Sequence, residues 1–111
     1  MTTKRRRRAA RGNVDALPFI EHLVGGRITL GALIEAIRDG EEMAQGEFAA
    51  KIGLSKSHLC DIEKGRKLVS PERAARLAEM LGYSSDHFVR LALQDAVDRA
   101  GLRYTVQVTA A

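Results

Sequence analysis

Lys56, Ser57 and Asp61 set a cationic donor, a two-way hydroxyl and an anionic acceptor within six residues. Groups of this kind recognise hydrogen-bonding edges. Around them stand Gln45, Ser55, His58, Lys64, Arg66 and Lys67, whose amide, hydroxyl, imidazole and cationic groups suit anionic oxygens. The chemistry on offer is recognition by charge and hydrogen bonding. No nucleophile has a base beside it, no carboxylates are paired over a pocket, and no glycine loop is built for phosphates. His58 and His87 are isolated, with no spaced partner for a metal. No catalytic residue, metal or cofactor is therefore expected.

A helix is the element that positions these groups. Leu59 and Ile62 share one buried face, and a 100° step puts Ser57, Asp61 and Lys64 on the opposite one, with Cys60 beside them. Lys56 stands at the helix tip. A lysine there opposes the helix dipole by roughly 0.3–1 kcal/mol, a placement that makes sense against an anion. An aspartate at 61 repels phosphates. It either accepts from a cytosine amino group or pairs with Lys64 or another neighbour. Phe48, Ala49 and Ile52 form the buried face of a preceding helix, with small Ala49 where the two helices cross. Gly53 suits a left-handed end to that helix, and Ser55 caps the next. Gln45 to Gly65 thus reads as two short helices joined by a glycine turn, the helix-turn-helix pattern that lays its second helix in the DNA major groove.

The stretch from about Thr29 to Leu91 resembles the phage Cro/repressor-type, or xenobiotic-response-element, helix-turn-helix family. The matching positions, in register, are Leu33 and Ile37 before Arg38, then Gln45, Ala49, Gly53, the run Ile62-Glu63-Lys64-Gly65, Leu77, Leu81-Gly82 and Ser84. The resemblance implies an all-α, five-helix, lambda-repressor-like domain that binds operator DNA as a dimer. It also implies a structural ion pair between Arg38 and Glu63, a phosphate contact from Gln45, and base contacts from Lys56, Ser57 and Asp61. The family usually caps its second helix with serine or threonine. This chain has Ala44 there, so that helix start is expected to be frayed or shifted.

The net charge of +4 is unevenly spread over the 111 residues. Residues 1–12 carry six Lys/Arg and no acid: Lys4, Arg5, Arg6, Arg7, Arg8 and Arg11. Residues 13–50 carry seven acids against two bases, and residues 51–76 carry seven bases against three acids. Positive charge is therefore concentrated in the arm and around the candidate recognition helix. The arm has little apolar to pack and is expected to be disordered alone. It either tracks phosphates, enters a minor groove or merely solubilises. The single cysteine excludes an internal disulfide. Cys60 is either an ordinary small residue or a redox-sensitive one. No apolar run approaches the ~20 residues of a membrane helix, and no secretory segment is visible, so no membrane partner and a cytoplasmic location are expected.

The expected organisation is a basic arm over 1–14, a helix-turn-helix domain over 15–100 and a strand over 101–111. Asp15–Val24 reads as a short helix with Leu17, Ile20 and Leu23 inward. Thr29 caps a helix from Leu30 to about Asp39, which Gly40 closes, and Met43 plugs the core. Ser70-Pro71-Glu72 starts a helix buried through Ala74, Leu77, Ala78 and Leu81 and stopped by Gly82. Phe88, Leu91, Ala92 and Val97 line the last helix. Leu102, Tyr104, Val106 and Val108 then alternate, as in a short β-strand. A lone strand needs a partner. The expected one is the same strand of a second chain in a homodimer, with Arg27-Ile28-Thr29 as an alternative within the chain. The function expected is a transcriptional regulator, a dimeric repressor on a pseudo-palindrome of double-stranded DNA. The alternative is an antitoxin that binds a toxin protein and represses its own operon.

Overall fold

The computed structural model describes residues 27–111 as five helices: α1 (Leu30–Gly40), α2 (Gln45–Lys51), α3 (Lys56–Glu63), α4 (Pro71–Leu81) and α5 (Ser85–Arg99). The basic arm and the Asp15–Val24 segment lie outside the described residues.

Each helix starts and stops for a local reason. The hydroxyls of Thr29, Ser55 and Ser70 accept from the backbone N–H groups of Ala32, His58 and Arg73, which closes the first turns of α1, α3 and α4. Pro71 occupies the first turn of α4, where its missing N–H is no loss. Gly53 at φ +75° turns the chain out of α2, and the Leu54 N–H folds back onto the Ala49 carbonyl at 2.9 Å. Gly82 at φ +81° ends α4 with the analogous bond from Tyr83 to Ala78. Ala44 supplies no side-chain cap, yet α2 begins at Gln45. The turn between α1 and α2 uses Glu42 at φ +57°, an uncommon conformation for a residue with a Cβ.

The core is one cluster. Leu30, Leu33, Ile34 and Ile37 of α1 meet Phe48 and Ala49 of α2, Ile52, and Leu59 and Ile62 of α3. Ala74, Leu77, Ala78 and Leu81 of α4 close on Phe88, Leu91 and Ala92 of α5. Met43 packs against this core from a half-buried position. α1 crosses α3 so closely that a Cβ on Gly31 would stand 2.0 Å from the Ile62 carbonyl oxygen. At position 31 the absence of a side chain sets the distance between the two helices.

The tail corrects one expectation. Residues 102–111 form no strand, and none occurs among the described residues. Alternation favours an extended backbone, but a ladder needs a second backbone, and α5 presents none. A side chain takes that part. Gln94 Nε2 donates to the Tyr104 carbonyl at 2.8 Å, and Gln94 Oε1 accepts from the Val106 N–H at 2.8 Å. Arg27 Nη2 adds a bond to Thr105 Oγ1 at 2.7 Å. The alternating residues are not buried alike: Leu102 and Tyr104 are exposed, while Val106 and Val108 are half-buried. Val97 is likewise only half-buried; the buried position near the end of α5 belongs to Gln94.

Candidate nucleic-acid interface

The helix carrying the candidate contacts is fastened from behind. Leu59 and Ile62 are sunk in the core. Glu63, at the last turn of α3, has a side chain only 2% exposed. It accepts from Arg38 Nε at 2.8 Å, from Arg38 Nη2 at 3.1 Å and from Gln45 Nε2 at 2.9 Å. Arg38 Nη1 also donates to the Met43 carbonyl at 2.9 Å. The hydrogen bond from the Arg38 guanidinium to the Glu63 carboxylate raises the arginine's pKa, which holds it in its charged form. One fork-shaped pair thus ties α1 to α3, and Gln45 brings the start of α2 to the same point.

Around this anchor the outward groups fall into two sets. Lys56 and Ser57 are exposed at the N-terminal end of α3, and the Lys56 stem passes over Gly46 of α2. Asp61 is engaged with the loop that follows the helix. Its Oδ1 accepts from Arg66 Nε at 2.9 Å, and its Oδ2 lies 3.9 Å from Lys67 Nζ. This pairing raises the Arg66 pKa. Its neighbours are therefore Arg66 and Lys67 rather than Lys64, and both keep more than half of their side-chain surface in solvent. Arg66 Nη2 also approaches Cys60 Sγ at 3.7 Å. Lys64 is exposed just past the helix, and Ser55 is exposed while its hydroxyl is used as the cap.

His58 is half-buried, and its pKa is lowered by burial and then by the nearby cations Arg73 and Lys67. It is therefore a neutral ring near pH 7, not a cation. Gln45, too, is not a free amide, since Glu63 takes one of its N–H groups.

Several supporting residues escape a reading of the sequence. Gly31 sits inside a helix, where glycine signals nothing until a second helix crosses it. Asp95 of α5 accepts from the Leu30 N–H at 3.0 Å, capping α1 from 65 positions away, and its burial raises its pKa. Glu41 is 3% exposed and meets Lys51 Nζ at 2.6 Å. Arg73 reads as an ordinary first-turn surface residue, yet it reaches His58. A cleft of about 160 Å³ lies behind the loop, between Gly31, Ile62, Gly65, Leu68 and the end of α5, where Arg99 donates to the Gly65 carbonyl. Among the described residues no cluster of His, Cys, Asp or Glu is arranged to hold a metal, and no helix is long and apolar enough to cross a membrane.

A family model described as helix-turn-helix matches residues 34–88. The chain is also 40% identical over 52 residues to the ImmF control region 10 kDa protein of Bacillus phage phi105. That match covers 47% of this chain and 58% of the phage protein, so less than two thirds of the relative's length is shared. No solved structure matches the chain. The matched segment runs from α1 into α5 and contains α2, α3 and the anchor of Glu63. Over residues 34–88 the chain thus matches the helix-turn-helix family, of the phage Cro/repressor type.

Proposed function

We propose that this chain is a sequence-specific DNA-binding transcriptional regulator that acts as a dimer on a pseudo-palindromic operator. The observation that carries the reading is α3 itself. It is anchored by Leu59, Ile62 and the Arg38–Glu63 pair, while Lys56 and Ser57 at its leading end are exposed. A rigid helix with free donors at its N-terminal end is what major-groove reading requires. In this reading Lys56 donates to guanine O6 or N7, and Ser57 contacts an adjacent base. Asp61 reaches a base only by releasing Arg66, so its main part is to aim Arg66 and Lys67 at the backbone. Gln45, Ser55, His58, Lys64, Arg66 and Lys67 hold phosphates, and residues 1–14 serve as an arm that adds salt-sensitive affinity. Two copies would set their α3 helices in major grooves about 34–36 Å apart. The resemblance to a phage control-region protein sides with a regulator over an antitoxin that binds a toxin protein.

Selection of bound duplexes from random DNA, followed by titration of Lys56→Ala, tests this reading. The variant is expected to lose about 1–3 kcal/mol on the selected site and little on unrelated DNA. Equal loss on both would make Lys56 a backbone contact. Absence of any preferred duplex at low salt would end the proposal.

A further inference from the structure

His58 and Arg73 meet across the gap between α3 and α4, with Arg73 Nη1 3.2 Å from His58 Nδ1. A guanidinium has only donors. Nδ1 must therefore offer its lone pair, and the ring proton sits on Nε2. That second nitrogen has no partner among the described residues and is not buried, so its N–H is open to solvent. Three charged groups surround the ring: Arg73 from α4, Lys67 from the loop and Asp61 from α3 itself. Partial burial of the ring, and then the two cations, outweigh Asp61 and lower the His58 pKa, which favours the neutral imidazole.

We propose that Arg73 is a positioning residue: it holds His58 in the neutral Nε2–H tautomer, so that the ring donates one hydrogen bond to a DNA phosphate oxygen at the edge of α3. This inference rests on the DNA-binding reading above. It separates His58 from Lys64, Arg66 and Lys67, which contribute charge. His58 contributes a directed neutral donor whose orientation is set from another helix, much as a partner on one ring nitrogen fixes the other in general.

Two measurements on the full chain test it. The ring nitrogen shifts of ¹⁵N-labelled histidine need no DNA. They are expected to show His58 as neutral Nε2–H at pH 7, and Arg73→Met is expected to mix the tautomers and raise the His58 pKa. Arg73→Gln retains an N–H donor and should keep the tautomer. Titration against the selected duplex forms the second arm. Arg73→Met is expected to weaken binding about five-fold at pH 7.5, roughly the loss of one neutral hydrogen bond. It should recover affinity as the pH falls and the freed ring becomes a cation. In a His58→Ala background the same change should add less than about two-fold. Equal weakening in both backgrounds would mean that Arg73 acts through its own charge, and an Nδ1–H ring in the wild-type chain would also overturn the proposal. A chain with the expected tautomer that binds no duplex would overturn both readings, and would show that the error lay in the DNA-binding assignment.

Discussion

Glu63 is the residue on which the rest of α3 leans. Its carboxylate is nearly fully buried, and three N–H groups converge on it. A buried charge is tolerable only with such company. Glu63→Gln keeps the shape and one good acceptor but leaves the Arg38 guanidinium, 13% exposed, without its buried counter-charge and with only the exposed Asp39 carboxylate, 3.6 Å away. The expected cost is about 3 kcal/mol, at the low end for breaking a buried pair. Urea denaturation would measure it, and an unchanged midpoint would show that the pair is incidental to stability. At the same scale, Asp61 shows why residue type alone did not settle a role. A carboxylate on the outer face of α3 reads equally as a base acceptor or as half of an ion pair, and Arg66 falls where it makes the ion pair.

Among the elements, the crossing of α1 on α3 sets the tilt of α3. The contact is backbone against backbone, because Gly31 has no side chain to separate it from the Ile62 carbonyl. Gly31→Ala should therefore force the two helices apart. It should cost at least the roughly 1–3 kcal/mol of an overpacked core, despite the better helix propensity of alanine. Thermal unfolding would read the loss. A stabilised variant would show that α1 carries no such constraint. Asp95 of α5 accepts from the first N–H of α1, so the N-terminus of α1 is satisfied by a neighbouring helix as well as by Thr29. The start of α2 has no side-chain cap of its own and is held instead by Gln45 on Glu63.

Over the whole molecule, Gln94 joins the helical body to its C-terminal tail. It is 2% exposed and bonds both the Tyr104 carbonyl and the Val106 N–H. Gln94→Leu would leave two backbone groups of the tail without partners. The expected result is release of the tail, faster hydrogen exchange at the Val106 amide, and a stability loss of about 1–3 kcal/mol for two hydrogen bonds. Continued protection of Val106 in the variant would mean that something other than the amide holds the segment. Leu102 and Tyr104 remain 50% and 67% exposed on that tail.

Some of this was legible in the chain of residues alone. The caps at Thr29, Ser55 and Ser70, the turns at Gly53 and Gly82, and the apolar stripes of α1 to α4 are local matters. Each depends on residues within a turn or two, so spacing reveals them. The outward placement of Lys56 and Ser57 followed from the inward placement of Leu59 and Ile62 by helix geometry. What only the tertiary structure decided involves groups distant in sequence. Asp95 on Leu30, Arg73 on His58, the Ile62 carbonyl over Gly31, and Gln94 in place of a neighbouring strand are all such pairings. Periodicity says which face of an element is buried. It carries no information about which distant polar group arrives there, and that arrival turned an expected strand into a pinned tail and an ordinary helix-start arginine into the partner of His58.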